Sequence, residues 1–432
     1  MQRNYLQRLL KNQILKKLVL SPSYIFYMKK LLQSLGPGLL FAGAAIGVSH
    51  LVQSTRAGAD FGFGLLWALL LVNLFKYPFF QYGPRYATAT GESLIDGYKK
   101  LGKGVLISYY VLTFATMFSI QAAVTIVTAG LAANLFGITP NLTVWSIIIT
   151  AICLLILMLG KYKFLDNFIK IIIITLTVST IIAVVIAILN VDTTHSFTPT
   201  FPKGTVEIAF LIAFLGWMPA PLDISAWHSL WALEKQKNTS DDFNMKKTMF
   251  DFNLGYIGTV FLGVCFISLG ALVMFGSGEQ FSSSAGKFAQ QLISLYTENL
   301  GEATSIFVAI AAFTTMFSTT LTTLDASPRA MARSTELIFN KTFKSNYLIW
   351  ILLLATGTII ILSFFISNMI TMVKIATILS FLTAPFYAIA NFMLISSKHT
   401  PKKWRPSFAM KILSYMGIIF LIGFSIWYLM NL

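Results

Sequence analysis

The chain has 432 residues, 56% of them hydrophobic and only 11% charged, with a mean hydropathy of +0.74 and a net charge of +16. Soluble domains carry about 25% charged residues, so a water-soluble globular protein is excluded. In a soluble chain the positive charge would suggest nucleic acid; here its distribution reads as membrane topology, and no nucleic-acid partner is expected.

In chain order, residues 1–35 come first. They are basic with short apolar stretches ("YLQRLL", "ILKKLVL") and have neither an uninterrupted signal core nor a small-residue cleavage site. They read as a cytoplasmic amphipathic arm on anionic lipid. Eleven apolar stretches follow, each near the roughly 20 residues that cross the hydrocarbon: about 36–57, 63–82, 104–136, 142–160, 167–190, 205–232, 248–276, 302–325, 346–366, 369–396 and 409–430. The longest linkers, 191–204, 233–247 and 275–300, are polar and short, so 36–432 reads as a single transmembrane domain. With the N-terminus inside, 27 of the 32 Lys and Arg residues fall on inward segments, the exceptions being Arg56, Lys76, Lys203, Lys287 and Lys374. That bias predicts a multi-pass protein of the plasma or inner membrane, N-terminus cytoplasmic and C-terminus outside.

Two stretches are interrupted. The first, "LGPGLLFAGAAIGVSHLVQSTRAGADFGFG", is glycine-rich with a polar cluster at its centre. The sixth, "VEIAFLIAFLGWMPAPLDISAWHS", meets Pro219, Pro221 and Asp223 halfway through. Gly47 and Met218 are 171 positions apart, about five spans with their loops. Broken helices at matching positions of two halves point to an inverted-repeat transporter with a midplane site. The expected fold is therefore all-α, with eleven transmembrane helices in a 5+5 inverted repeat of the LeuT type: repeat one over about 36–190, repeat two over about 205–396, and an extra helix at 409–430. Irregular backbone persists in lipid only where it is buried in protein or lines a cavity. Each proline lacks an N–H, so carbonyls one turn back lose their donors and can face a cation. A simple proline kink would leave Asp223 unexplained.

Lys76, in the middle of the second stretch, needs a partner or a wet cavity, and Glu92 is too near the inner loop to supply it. The eighth stretch carries Ser318, Thr319, Thr322 and Thr323 at helical spacing, with Asp325 near its inner end. Ser318, Thr319, Thr322 and Asp325 are candidates for a coupling ion such as sodium. The alternative is that the hydroxyls bond back to their own helix and that Asp325 pairs with Arg329. Cys153 and Cys265 lie within spans, without metal-site spacing, and read as buried small apolar residues.

The stretch "GPGLLFAGAAIGVSHLVQSTRAGADFGFGLLW", Asn73, "RYATATGESL" (Arg85 to Leu94), Met218–Pro219 and Pro385–Phe386 together resemble the Nramp family of proton-coupled divalent-metal transporters. The resemblance implies a secondary transporter working by alternating access between helices 1 and 6, with manganese or iron as candidate cargo and a proton or sodium gradient as the coupling expected. The departures are specific. The family's DPGN falls on Gly47, Val48, Ser49 and His50, so its aspartate becomes glycine and its asparagine histidine. Its A-x-x-M-P-H falls on Leu215 to Ala220, keeping Met218 and losing the histidine. The glutamine of the tenth helix falls on Thr377, and residues 104–136 hold no Asp, Glu or His for proton movement.

Transition metals take imidazole, thioether and carboxylate ligands. Gly47, His50, Leu215, Met218, Ala220, Asp223 and Thr377 therefore form the candidate substrate or metal site, with a carboxylate moved from the first span to the sixth and an imidazole the other way. Each has a structural alternative: His50 bonding a freed carbonyl, Met218 packing, Asp223 capping the second half-helix. Loss of the first-span aspartate equally suits a different cargo, such as magnesium, a sodium-coupled small organic solute or an anion. No HExxH, GxSxG, paired catalytic carboxylates or nucleotide loop is present, so neither an enzyme nor an ATP-driven pump is expected. The expected partners are a small ion or solute and the lipid bilayer, the chain acting as a monomer without a bound cofactor.

Overall fold

A computed structural model describes residues 36–159, 162–190, 196–238, 244–365 and 368–431; the arm expected at 1–35 lies outside them. Fifteen α-helices and no β-strand occur among the described residues. The first expected span is two pieces, α1 (Pro37–Ala45) and α2 (Thr55–Phe61), joined through a bend and a π-helical turn at Ser49–Ser54. The segments Pro37–Ala45 and Ser49–Phe61 diverge by 45°. α3 (Leu66–Thr90) outruns the expected second span and tolerates Pro78 and Pro84 within it. It stops at Gly91, whose φ of 72° requires a residue without Cβ strain.

The short helix α4 (Leu94–Leu101) starts with a capping box: Asp96 N–H donates to Ser93 Oγ and Ser93 N–H to Asp96 Oδ2. Then come α5 (Lys103–Phe136), α6 (Leu142–Met158) and α7 (Tyr162–Asn190). The sixth expected span is again divided, into α8 (Thr205–Trp217) and α9 (Ile224–Asn238). The remainder is α10 (Met245–Leu269), α11 (Ala285–Leu300), α12 (Ser305–Phe339), α13 (Asn346–Ile360), α14 (Met369–Ser396) and α15 (Phe408–Met430).

Six helices are long and apolar enough to cross a bilayer, and the bent pair α1–α2 makes up to seven among the described residues. Others of the eleven expected spans fall on shorter apolar helices (α6, α8 and part of α7) or on α3, which carries buried Lys76. One expectation is corrected. The linker 275–300 is largely the helix α11, whose Phe288, Ala289, Leu292 and Tyr296 are buried. Its polar residues recur on one side only, a surface-helix pattern that mean polarity hides.

The halves of the first span are held by backbone-close packing on α10. A Cβ on Gly38 or Gly58 would stand 2.1 Å from the carbonyl oxygen of Asp251 or Ile267, respectively. Without a hydrophobic driving force between helices in lipid, such small-residue contacts supply the association. Gly38 N–H also donates to Asp251 Oδ2 at 2.7 Å. Residues 37–432 form one compact unit around these contacts.

Candidate functional site

The first break lies between Ala45 and Ser49. Gly47 sits so close to α12 that a Cβ would come within 2.8 Å of Thr319 Oγ1. Thr319 in turn donates to Gly43 O at 3.2 Å, which seals one carbonyl of the ending helix. His50 seals others. Its Nε2 lies 2.9 Å from Thr259 O, and its Nδ1 lies 3.0 Å from Ala45 O and 2.7 Å from Ser49 Oγ. Carbonyls only accept and a neutral imidazole has a single N–H, so the ring donates to Thr259 O or to Ala45 O according to its tautomer. The imidazole is completely buried and braces α1 against α10, the structural alternative the sequence offered.

The second break runs from Met218 to Asp223, with a cis Met218–Pro219 bond. In an uninterrupted helix Leu215 O would accept from the N–H of residue 219, but that residue is proline and has none. The missing donor comes from another helix. Lys76 Nζ, on α3, donates to Leu215 O at 2.8 Å, to Gly216 O at 2.7 Å and to Ala220 O at 3.4 Å. Lys76 has no exposed surface. The carbonyls freed at the break therefore meet a side chain of the protein itself.

Met218 Sδ accepts from Ser54 Oγ at 3.7 Å. Like His50 Nε2 it packs on Gly263, whose Cβ would lie 3.6 Å from the sulfur and 3.8 Å from the nitrogen. Asp223 is 3% exposed, and its Oδ1 has no hydrogen-bond partner. Its main-chain carbonyl accepts from Ala226 N–H at the start of α9. Thr377 Oγ1 bonds back to Val373 O and Lys374 O within α14. Its carbonyl faces Gly216, where a Cβ would come within 2.1 Å.

A small cavity of about 20 Å³, space on the scale of a water molecule, lies between the two breaks. Ala44, Ala45, Val48 and Ser49 line it from the first, and Trp217, Ala220, Pro221, Ile224 and Trp227 from the second. Ile120 and Val124 of α5, with Thr319 and Thr323 of α12, close the remaining side. Of the sequence-derived candidates only Ala220 and Thr319 line it directly. Gly47, His50, Leu215, Met218, Asp223 and Thr377 are buried around it without forming its wall. Trp217 Nε1 is satisfied by Ser380 Oγ at 2.8 Å, while Trp227 Nε1 is buried with no partner.

Among the coupling-ion candidates, Ser318 Oγ is buried without a partner and Thr322 is 9% exposed. Asp325 is taken by Arg329, whose Nε lies 2.8 and 2.7 Å from its two oxygens, and by Tyr347 OH at 2.5 Å. This is the ion pair the sequence offered as the alternative to ion binding. The neighbouring hydroxyls join α5 to α12: Thr323 donates to Gln121 Oε1 at 2.6 Å, and Thr128 and Thr320 hydroxyls meet at 2.7 Å. Among the described residues, no three His, Cys, Asp or Glu side chains come together as a metal-holding group.

The "RYATATGESL" segment forms a tie at one end of the bundle. Leu94 N–H donates to Ser229 Oγ of α9 at 3.0 Å, and Tyr98 OH to Asn391 Oδ1 of α14 at 2.5 Å. Asn391 Nδ2 continues to Ser225 Oγ at 2.9 Å, and Arg333 of α12 pairs with Asp96. Sequence reasoning missed the Trp217, Trp227, Ile120 and Val124 wall, because apolar residues in an apolar span carry no signal of their own. It singled out Lys76 without finding its partner, because backbone carbonyls are invisible in a sequence.

A multi-pass helical bundle broken twice beside one shared cavity is a membrane transporter of the LeuT-type architecture. Its particular kind follows from the match of the family described as natural resistance-associated macrophage protein-like (Nramp) to residues 38–431: the chain belongs to that family. An uncharacterised protein of Pasteurella multocida is 35% identical over 400 residues, 91% of each chain. A mutant of the Eremococcus coleocola manganese transporter shares the fold with a TM-score of 0.71 at 13% identity, covering 92% of this chain and 86% of that one. MHP1, a nucleobase-cation-symport-1 transporter in a closed conformation with bromovinylhydantoin bound, gives a TM-score of 0.58 at 14% identity over 91% of both.

Proposed function

We propose that the chain is a secondary transporter that works by alternating access around this cavity, and that its cargo is a small organic solute. In this reading the two five-span halves, about 36–190 and 205–396, move against each other across the breaks. The lining of the cavity carries the proposal. Two tryptophans, several aliphatic side chains and three hydroxyls surround it, and no carboxylate, imidazole or thioether does. Small-molecule sites are mostly apolar with a few polar groups, a pattern this lining follows, and the movement of the halves supplies the room a solute needs beyond the present volume of about 20 Å³. The unpartnered Trp227 Nε1 suits a cargo with a hydrogen-bond acceptor. Thermal-stability screening of the purified protein against small carboxylates, amides and heterocycles, followed by proteoliposome uptake of the hits, tests it. No stabilising solute across those classes, together with robust manganese uptake, would refute it.

A second reading, transport of a divalent metal ion as in the Eremococcus coleocola manganese transporter, is favoured by one observation. Asp223 Oδ1 is buried, has no hydrogen-bond partner and belongs to the second break. Manganese uptake reduced at least tenfold by Asp223→Ala would establish it; absence of manganese uptake would end it.

A further inference from the structure

The C-terminal end of α8 is built as a cation site. Leu215 O loses its helical donor to Pro219, the chain turns away beyond Trp217, and the dipole of α8 directs its negative end to the same point. In broken-helix carriers, unwound carbonyls and half-helix C-terminal ends coordinate the coupling cation. Here the position is occupied. An ammonium has three hydrogens, and Lys76 spends them on Leu215 O, Gly216 O and Ala220 O, with Nζ wholly shielded from solvent. A second cation on these oxygens would share their lone pairs with the ammonium and be repelled by it.

We propose that the Lys76 ammonium is a tethered replacement for the free cation at the break of the sixth span, and that it excludes sodium and divalent metal ions from the Leu215 and Gly216 carbonyls. This rests on the chain being a carrier and not on which cargo it carries. Lys76 is thus a specificity-determining residue of the transport site.

The test uses the full-length protein in lipid nanodiscs, with thermal unfolding followed in choline, sodium, ammonium, methylammonium and manganese chlorides at matched ionic strength. Wild type should show no saturable response to sodium or manganese. Lys76→Ala leaves a vacancy the size of an alkylammonium group. It should unfold at lower temperature and regain at least about 2 °C, saturably, in ammonium or methylammonium but not in choline. In parallel, anomalous scattering from wild-type crystals soaked in thallium(I) or manganese should show no peak within about 3 Å of the Leu215 and Gly216 carbonyl oxygens. Such a peak would overturn the assignment. So would a sodium or manganese response of wild type that Lys76→Ala abolishes, or a folded Lys76→Ala protein indifferent to every cation. If Lys76→Ala does not fold, the anomalous experiment decides, and Lys76→Arg must fold and remain insensitive to cations. Manganese uptake by wild type without a peak at these oxygens would remove the organic-solute reading and leave the Lys76 assignment standing.

Discussion

Lys76 Nζ donates to Leu215 O at 2.8 Å, standing in for the N–H that Pro219 cannot provide. A helix break that would leave carbonyls bare in a low-dielectric interior is thereby closed by a side chain from α3. Lys76→Met keeps the length and apolar stem but removes all three donors. The buried carbonyls are then unsatisfied, and the expected loss is about 2–3 kcal/mol, read as a lower unfolding midpoint in detergent. A midpoint equal to that of wild type would show the three hydrogen bonds to be energetically idle.

The junction between α8 and α14 has no slack. A Cβ at Gly216 would stand 2.1 Å from Thr377 O, a backbone atom that cannot rotate away. Gly216→Ala should therefore cost about 1–3 kcal/mol through overpacking. Gly423→Ala on α15, where a Cβ meets nothing within 4 Å, is the matched control and should leave the midpoint in place. Equal behaviour of the two variants would contradict the close approach of the helices.

Val124→Phe adds bulk to the α5 wall of the cavity without touching either break. Uptake of the cargo, once identified by stability screening, is expected to fall at least tenfold while the protein still folds. Unchanged uptake would mean that cargo passes elsewhere.

Asp325→Asn tests the eighth stretch. The carboxylate is 4% exposed and paired with Arg329, which is 48% exposed at its side chain, so the half-exposed pair contributes about 1 kcal/mol. The substitution is expected to lower stability slightly and leave any sodium dependence of transport as in wild type. A shift in sodium affinity of tenfold would restore Asp325 as an ion ligand.

His50→Ala removes the ring that lies between the Thr259 and Ala45 carbonyls and donates to one of them. A loss of about 1–3 kcal/mol is expected, with His50→Gln recovering part of it because an amide can still donate to one carbonyl. Full stability of the alanine variant, checked by the same unfolding midpoint, would argue that His50 is kept for binding instead.

The sequence read the positions of both breaks well, because proline chemistry and glycine content act locally. "WMPAPLD" ends a helix wherever it is placed, and the interruption at Met218–Asp223 follows it closely. The bend at Gly47 was legible for a similar reason, and the family match over residues 38–431 agrees with the motifs quoted for it. The helix α11 was lost because its polar and apolar residues average to a linker when the period of 3.6 is ignored.

Local chemistry thus determined, by itself, that this chain lives in a membrane, where its first and sixth spans give way, and that carbonyls there need a positive partner. Only the tertiary structure decided that the partner is Lys76, separated from Leu215 by 139 positions, and that His50 and Asp325 are occupied by neighbouring groups. Hydrogen-bond donors have a range of about 3 Å. Which donor meets an orphaned carbonyl is settled by helix packing, which no stretch of residues encodes alone.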